Sequence, residues 1–220
     1  MSKIFEIICD DRGCSECQKY AGKFTEQPEH LPPFHLNCKC KMIEVEEILE
    51  EIFEKLEEHE GVEKNAYTDI KGNVTIGYGS MFNSVEEFKK LPLYYQNRLA
   101  TPEEKEADFY MVRDRILKRR FLELPKTEMK ILAMEHLKGD LKSVRKKFKD
   151  FDNLPRNAQL VILDMEYNMG ANKFSRNKWP HFFEAIDKKN WVWAGDESSS
   201  PDIQLERNLW RKDMLHSIVE

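Results

Sequence analysis

The sequence lacks any long apolar run and any excess of basic residues. No stretch of the 220 residues approaches the roughly 20 apolar residues that a membrane span needs, so we expect no membrane insertion. Residues 1–10 hold too short an apolar run, and no small-residue cleavage site, for a secretory signal. The chain is therefore expected to be made in the cytoplasm without a signal peptide and to need help to leave it. The net charge of −5 argues against nucleic acid as a partner.

Cysteine is absent after residue 40, and all five cysteines lie in the segment 1–42. Four of them form two close cysteine pairs about twenty residues apart, and a histidine lies nearby. This spacing suits a tetrahedral zinc site. The preferred ligands are Cys14, Cys17, Cys38 and Cys40, with His35 as a substitute. A structural zinc ion would explain how a segment with few apolar residues folds. A flexible tail with reduced thiols is an equally open alternative, whereas an odd cysteine count fits poorly with a pure disulfide framework.

Length and composition predict one medium-sized domain, residues 43–220, behind a cysteine-rich appendage, residues 1–42. A hydrophobic content of 40% beside 34% charged residues is typical of a protein with many exposed helices. The first predicted helices span 43–60, a short piece after Ser84 and a segment that begins at a Thr101 capping box. The next is capped by Thr127 and ends at Gly139, and a separate piece carries the basic residues 145–149. The last three are 155–170, a segment from Pro180 and a helix after Pro201. Apolar residues nearly all round 155–170 predict a central buried helix.

Two carboxylates near a glycine-rich hairpin suggest acid–base chemistry on a glycosidic bond. Glu60 continues an apolar helical stripe, and a carboxylic acid at the end of a buried stripe is desolvated and keeps its proton near neutral pH. Asp69 lies beside the turn residues 71–73, where it is expected to stay ionised. The stripe itself consists of Val45, Ile48, Leu49, Ile52 and Leu56. A solvated Glu60 before an ordinary hairpin is the alternative.

The same stretch resembles the active-site segment of the phage-type lysozymes, glycoside hydrolase family 24. The matching pieces are Ile52-Phe53-Glu54-Lys55-Leu56, Glu60-Gly61, Tyr67-Thr68-Asp69 and Gly72-Asn73-Val74-Thr75-Ile76-Gly77-Tyr78-Gly79. The resemblance implies an α+β, mainly helical fold with a small β-hairpin lobe and a larger helical lobe. It implies catalytic roles for Glu60, Asp69 and Thr75. It also implies sugar contacts by Gly79, Met81, Tyr167 and Asn177, although Tyr167 is nearly as well explained as a core residue. Glu166 matches no catalytic position of the family and is interpreted as structural.

The activity that the resemblance implies is that of a muramidase, which cuts the β-1,4 bond between N-acetylmuramic acid and N-acetylglucosamine in peptidoglycan and so lyses bacteria. Such a reaction needs no cofactor. We expect a monomer that reaches the wall after release, injection or delivery by a phage particle or a holin. A non-catalytic phage structural or peptidoglycan-binding protein is the alternative.

Residues 31–40 are also similar to the cysteine-containing end of phage head-morphogenesis (minor capsid) proteins, which indicates the same phage setting.

Overall fold

A computed structural model of the protein describes residues 2–9, 15–35, 38, 40–59, 61–69, 71–116, 122–201 and 203–219. About half of the chain is helical, and the strands form small three-stranded sheets, so the predicted α+β, mainly helical class is confirmed. The chain divides into two compact units, residues 1–135 and residues 136–220. Among the helices of the described residues, none is both long enough and apolar enough to cross a membrane.

The first unit opens with an antiparallel sheet around strand β1 (Lys3–Ile8), which pairs on one side with β2 (Gly22–Phe24) and on the other with β3 (Lys41–Glu46). A single helical turn, α1 (Ser15–Gln18), lies between β1 and β2 in the sequence. The prediction that residues 43–46 are helical is wrong. They alternate apolar and acidic side chains with period two and pair with β1 in unbroken register. The division of the chain at residue 42 stays a prediction.

Helix α2 (Glu47–His59) follows directly and has the apolar face that the sequence predicts. Ile48, Ile52 and Leu56 are fully buried, so this stripe and not intrinsic helix propensity holds the helix in place. Two lysines tie the helix to neighbouring elements. Lys130 Nζ lies 2.7 Å from Glu50 Oε1, and Lys23 Nζ lies 2.7 Å from the same oxygen.

A second sheet comes next, with strands β4 (Glu63–Thr68), β5 (Val74–Gly77) and β6 (Ser80–Phe82) in sequential antiparallel order. Helices α3 (Val85–Lys89) and α4 (Pro102–Arg113) follow, together with a small third sheet of β7 (Tyr94–Tyr95), β8 (Arg98–Leu99) and β9 (Leu122–Glu123). The predicted capping box is confirmed at the start of α4. Glu104 N donates to Thr101 Oγ1 at 3.3 Å, and Thr101 N donates to the Glu104 carboxylate at 2.8 Å.

Helix α5 (Lys126–Lys147) runs unbroken for 22 residues, so the predicted stop at Gly139 and the separate basic piece after it are wrong. A glycine inside a helix costs about 1 kcal/mol, and burial of Leu137, Leu141 and Val144 around it outweighs that cost. Thr127 lies inside the first turn rather than before it. Its hydroxyl is buried and has no hydrogen-bond partner among the described residues, so it does not cap the helix.

The second unit contains α6 (Arg156–Met169), α7 (Pro180–Asp187), α8 (Trp191–Asp196) and α9 (Leu205–His216), preceded by a 3-10 turn (Phe151–Asn153). Nine consecutive residues of α6, Ala158 to Glu166, are buried, which confirms a central helix. Asp164 in its middle receives hydrogen bonds from Arg207 and Arg211 of α9. Because all three side chains are buried, loss of one partner would leave an uncompensated charge in the core.

Candidate active site

Glu60, the predicted acid, lies outside the described residues, but the helix that leads to it is well defined. Helix α2 ends at His59, and its last turns are attached to the second sheet by Tyr78. The Tyr78 hydroxyl donates to Glu57 Oε1 at 2.6 Å, and the Tyr78 ring meets Phe53 edge to face at 5.0 Å. Tyr78 is 1% exposed, so this contact is a buried anchor between the sheet and the helix that precedes Glu60.

Asp69 follows β4 at the turn into β5, as the sequence predicts, and its carboxylate accepts three hydrogen bonds. Asp69 Oδ1 accepts from the backbone N–H groups of Lys71 and Asn73, each at 2.8 Å, and Oδ2 accepts from Asn73 Nδ2 at 2.9 Å. Partial burial by itself would raise the pKa of Asp69. The hydrogen bonds outweigh burial, since they favour the charged form, and the pKa lies below its ordinary value. Asp69 is therefore ionised at neutral pH.

Thr75 lies in the middle of β5 and is 2% exposed. Its Cα is opposite Tyr67 on β4 and opposite Met81 on β6, so Tyr67, Thr75 and Met81 form one cross-strand row on one face of the sheet. Thr75 Oγ1 donates to the carbonyl oxygen of Asn73 at 3.4 Å. Met81 is 57% exposed, which leaves a large apolar side chain in solvent at the edge of this row.

Asn73 connects these positions, and the sequence reasoning did not select it as a site residue. Its Nδ2 group lies 2.9 Å from Asp69 Oδ2 and 3.5 Å from Met81 Sδ. The signal for it was weak, because an asparagine in a tight turn is ordinarily explained by turn geometry alone. Its side chain fixes the orientation of the Asp69 carboxylate and so positions a predicted catalytic group.

The turn between β5 and β6 requires glycine at two positions. Gly77 has φ +67° and Gly79 has φ +84°, a conformation that side chains with a Cβ rarely adopt. A Cβ at Gly77 would also lie 3.4 Å from Met129 Cγ of α5, whereas a Cβ at Gly79 would meet nothing within 4 Å. Gly79 therefore presents open backbone at the end of the sheet, and its predicted contact with sugar stays a prediction.

Tyr167 and Asn177, the two remaining predicted sugar contacts, belong to the second unit. Tyr167 is half-buried near the end of α6, and its ring lies 4.8 Å from that of His136. Asn177 is exposed in the turns between α6 and α7. Glu166, which was interpreted as structural, is completely buried and pairs with Lys147 Nζ at 2.5 Å. Lys147 also donates to the carbonyl oxygens of Ala171 and Phe174.

Asp140 is a buried carboxylate that the sequence reasoning missed. It lies on the inner face of α5, three residues after Leu137 and four before Val144, so an aspartate on an apolar stripe was the available signal. Burial, reinforced by the negative charge of Glu166 and opposed by Lys147, raises its pKa to about 7. His136 Nε2 lies 3.7 Å from Asp140 Oδ2, and burial lowers the pKa of this histidine.

The cysteine-rich segment brings part of the predicted ligand set together. Cys17, His35 and Cys38 place one ligand atom each within 4.8 Å of the other two, a group that could hold a metal ion. Cys14 lies outside the described residues, and His35, predicted as a substitute, occupies a place in the group. Burial by itself would raise the pKa of Cys38, but hydrogen bonds from backbone and thiol groups lower it to about 7. Burial raises the pKa of Cys40 to about 12.

A small hairpin sheet attached to a helix, with an ionised aspartate at its turn, and a second, mainly helical unit are the features of the lysozyme-like α+β class of fold. The phage lysozyme family model matches residues 57–197, which is more than half of the chain and includes every predicted catalytic residue. The chain therefore belongs to the phage lysozyme family. A search of curated proteins finds no match. Family membership supports a glycoside hydrolase-type enzyme that acts on peptidoglycan and needs no cofactor for catalysis.

Proposed function

We propose that this protein is a muramidase that cleaves the β-1,4 bond between N-acetylmuramic acid and N-acetylglucosamine in peptidoglycan. The observation that carries the proposal is the environment of Asp69. Three hydrogen bonds hold this carboxylate ionised and oriented at the turn that leads into the strand of the buried Thr75. A fixed anion at this place suits the stabilisation of a positively charged sugar intermediate.

In the proposed reaction, Glu60 donates its proton to the glycosidic oxygen as the bond to the anomeric carbon breaks. Asp69 stabilises the oxocarbenium-like transition state by its negative charge, and with Thr75 it positions the water that attacks the anomeric carbon. The attacking water releases one proton to solvent and Glu60 takes one up from solvent, so the enzyme is restored and the elements of water are added across the broken bond. The family resemblance implies inversion of configuration.

The anchor at Tyr78 supports this arrangement from the helix side. It attaches the second sheet to α2 only three residues before Glu60, through the hydrogen bond to Glu57 and the ring contact with Phe53. This attachment limits how far the turn that carries Asp69 can move relative to α2, the helix that precedes Glu60 in the sequence. Catalysis benefits because groups already in position lose little entropy in the transition state.

Gly79, Met81, Tyr167 and Asn177 are proposed to contact the sugar chain. The exposed thioether of Met81 offers an apolar surface to a sugar ring, and Asn177 offers an amide in solvent. We further propose that the protein acts as a monomer, with residues 1–42 as an appendage to a catalytic domain of residues 43–220. Delivery to the wall would follow release, injection or transport by a phage particle or holin.

Clearing of a suspension of purified bacterial cell walls tests the proposal. The wild-type protein should reduce the turbidity, and Glu60→Gln should abolish the effect while the circular dichroism spectrum and melting temperature stay unchanged. The matched control is Glu58→Gln, since Glu58 lies on the same helix but is exposed and pairs only with Lys55 among the contacts described. Substantial clearing by Glu60→Gln would remove Glu60 from the acid role. Wall binding by the wild type without clearing would instead support a non-catalytic peptidoglycan-binding protein.

A further inference from the structure

The cysteine-rich segment contains a compact group of thiols and one imidazole that the muramidase reaction does not use. Cys17 Sγ lies 2.8 Å from His35 Nε2 and 3.7 Å from Cys38 Sγ. Two sulfur ligands of a tetrahedral zinc ion, each about 2.3 Å from the metal, are separated by about 3.8 Å. We propose that Cys17, His35, Cys38 and Cys40 bind one zinc ion that stabilises the first sheet.

The fourth ligand follows from the position of Cys40. Its side chain is buried in the same cluster as Cys17, and Cys38 packs against that cluster. Cys9 also packs against this cluster but is only partly buried, and its Sγ donates to the carbonyl oxygen of Cys17 at 3.3 Å and so is directed at backbone. Cys40 is therefore assigned as the fourth ligand; its thiol lies outside the group of three ligand atoms and would turn toward the ion as zinc binds.

The first sheet needs such a cross-link because it has almost no core of its own. Among the described residues its buried cluster consists of Ile7, Cys17 and Cys40, so two of the three members are proposed ligands. So few apolar side chains bury too little surface to offset the entropy lost on folding. Zinc would join α1, which carries Cys17, to His35, Cys38 and Cys40, which precede β3 in the sequence. Metal binding would then supply folding free energy directly.

The ligand chemistry selects zinc and a structural role. Three thiolates and one imidazole suit zinc over calcium or magnesium, which prefer oxygen. Four protein ligands leave no open coordination position for a water or a substrate. On binding, the thiols of Cys17, Cys38 and Cys40 each release one proton to solvent, and the resulting site has a net charge of −1. Zinc should therefore be bound more weakly as the pH falls.

The first arm of the test uses the wild-type full-length chain, purified without chelators. Elemental analysis should give about one zinc per chain, and X-ray absorption at the zinc edge should show three sulfur atoms and one nitrogen atom around the metal. Absence of zinc together with five freely titratable thiols would overturn the proposal. A shell of four sulfur atoms would also overturn it, because His35 would then not be a ligand.

The second arm uses variants, with affinity measured by competition against a zinc-binding dye. His35→Ala, Cys17→Ser and Cys38→Ser should each weaken zinc binding at least about 10-fold. The matched controls are His30→Ala, an exposed histidine that packs on Tyr20, and Cys9→Ser. Both controls should keep the wild-type affinity. Wild-type affinity in His35→Ala, or loss of zinc in Cys9→Ser, would contradict the assigned ligand set. The wild-type absorption experiment remains decisive even where a variant fails to fold.

Discussion

Two aspartates in different parts of the molecule have pKa values that are shifted in opposite directions. Asp69 lies at the turn between β4 and β5, where two backbone N–H groups and an amide donate to it and lower its pKa. Asp140 lies on the buried face of α5, where burial and the charge of Glu166 raise its pKa to about 7. Hydrogen-bond donors thus hold the Asp69 carboxylate charged, whereas burial and a neighbouring negative charge drive Asp140 toward its neutral form.

The comparison shows that a perturbed pKa does not by itself identify a catalytic group. Asp140 has the pKa expected of a general acid, yet it is 6% exposed and its Oδ2 atom has no hydrogen-bond partner among the described residues. The pKa of Asp69 is shifted less, but Asp69 lies within the residues that the family model matches and is partly exposed at the end of a strand. Position in the fold and exposure to solvent distinguish the two aspartates, so their substitution should affect different properties.

Asp69→Asn should have the larger effect, and on activity rather than on stability. The amide keeps an oxygen acceptor for the backbone donors of the turn but removes the negative charge that we propose stabilises the transition state. We expect the rate of wall clearing to fall by about 100-fold or more, with the melting temperature little changed. Initial rates of turbidity loss and thermal unfolding followed by circular dichroism measure the two quantities.

The matched control for this change is Asp114→Asn, an exposed aspartate whose pKa is lowered by its hydrogen bond with Arg113. It should retain the wild-type rate. A near-wild-type rate in Asp69→Asn would indicate a mechanism that needs only Glu60, and the role assigned to the Asp69 charge would be wrong.

Asp140→Asn should have the smaller effect, and on stability rather than on activity. In the wild type, folding favours the protonated Asp140, so this site stabilises the fold fully below about pH 4. That stability is lost as the pH rises toward about 7, where Asp140 ionises in the folded protein. An asparagine carries no charge at any pH. At pH 8 the free energy of unfolding of the variant should therefore exceed that of the wild type by about 2 kcal/mol. Near pH 4 the two proteins should have the same free energy of unfolding.

Urea unfolding at both pH values measures this difference, with wall clearing as a check that activity is retained. The groups that face Asp140 are His136, Glu166 and Lys147, and they are unchanged in the variant. Asp152→Asn provides the control, because Asp152 is exposed and pairs with Arg145. If the variant and the wild type have the same free energy of unfolding at both pH values, Asp140 is ionised in the native state at neutral pH and the raised pKa is wrong.

The sequence predicted best those features that depend on neighbouring residues. The apolar stripe of α2, the capping box at Thr101 and the buried helix α6 are all local patterns, and all three are confirmed. The turn chemistry at 71–73 also predicted an ionised Asp69, which agrees with its lowered pKa. The turn residues set the backbone conformation, and that backbone supplies the N–H groups that donate to Asp69, so the environment of this side chain depends on its sequence neighbours alone.

The sequence predicted poorly those features that depend on partners far along the chain. Residues 43–46 form a strand because β1, almost forty residues earlier, pairs with them. Helix α5 passes through Gly139 because tertiary burial outweighs the local cost of glycine. Asn73 and Asp140 were missed because each acquires its role from groups that the fold brings to it. His35 is likewise only a substitute among the metal ligands predicted from the sequence, because its contact with Cys17, 18 residues earlier, depends on the fold.

The most direct measurement of the central claim is the identity of the new chain ends in digested peptidoglycan. Borohydride reduces each freshly exposed sugar end to its alcohol, which acid hydrolysis and chromatography then identify. A muramidase leaves N-acetylmuramic acid at the reducing end, so the account predicts muramitol as the new product with the wild type and none with Glu60→Gln. Glucosaminitol, or cleared walls without any new reducing end, would contradict it.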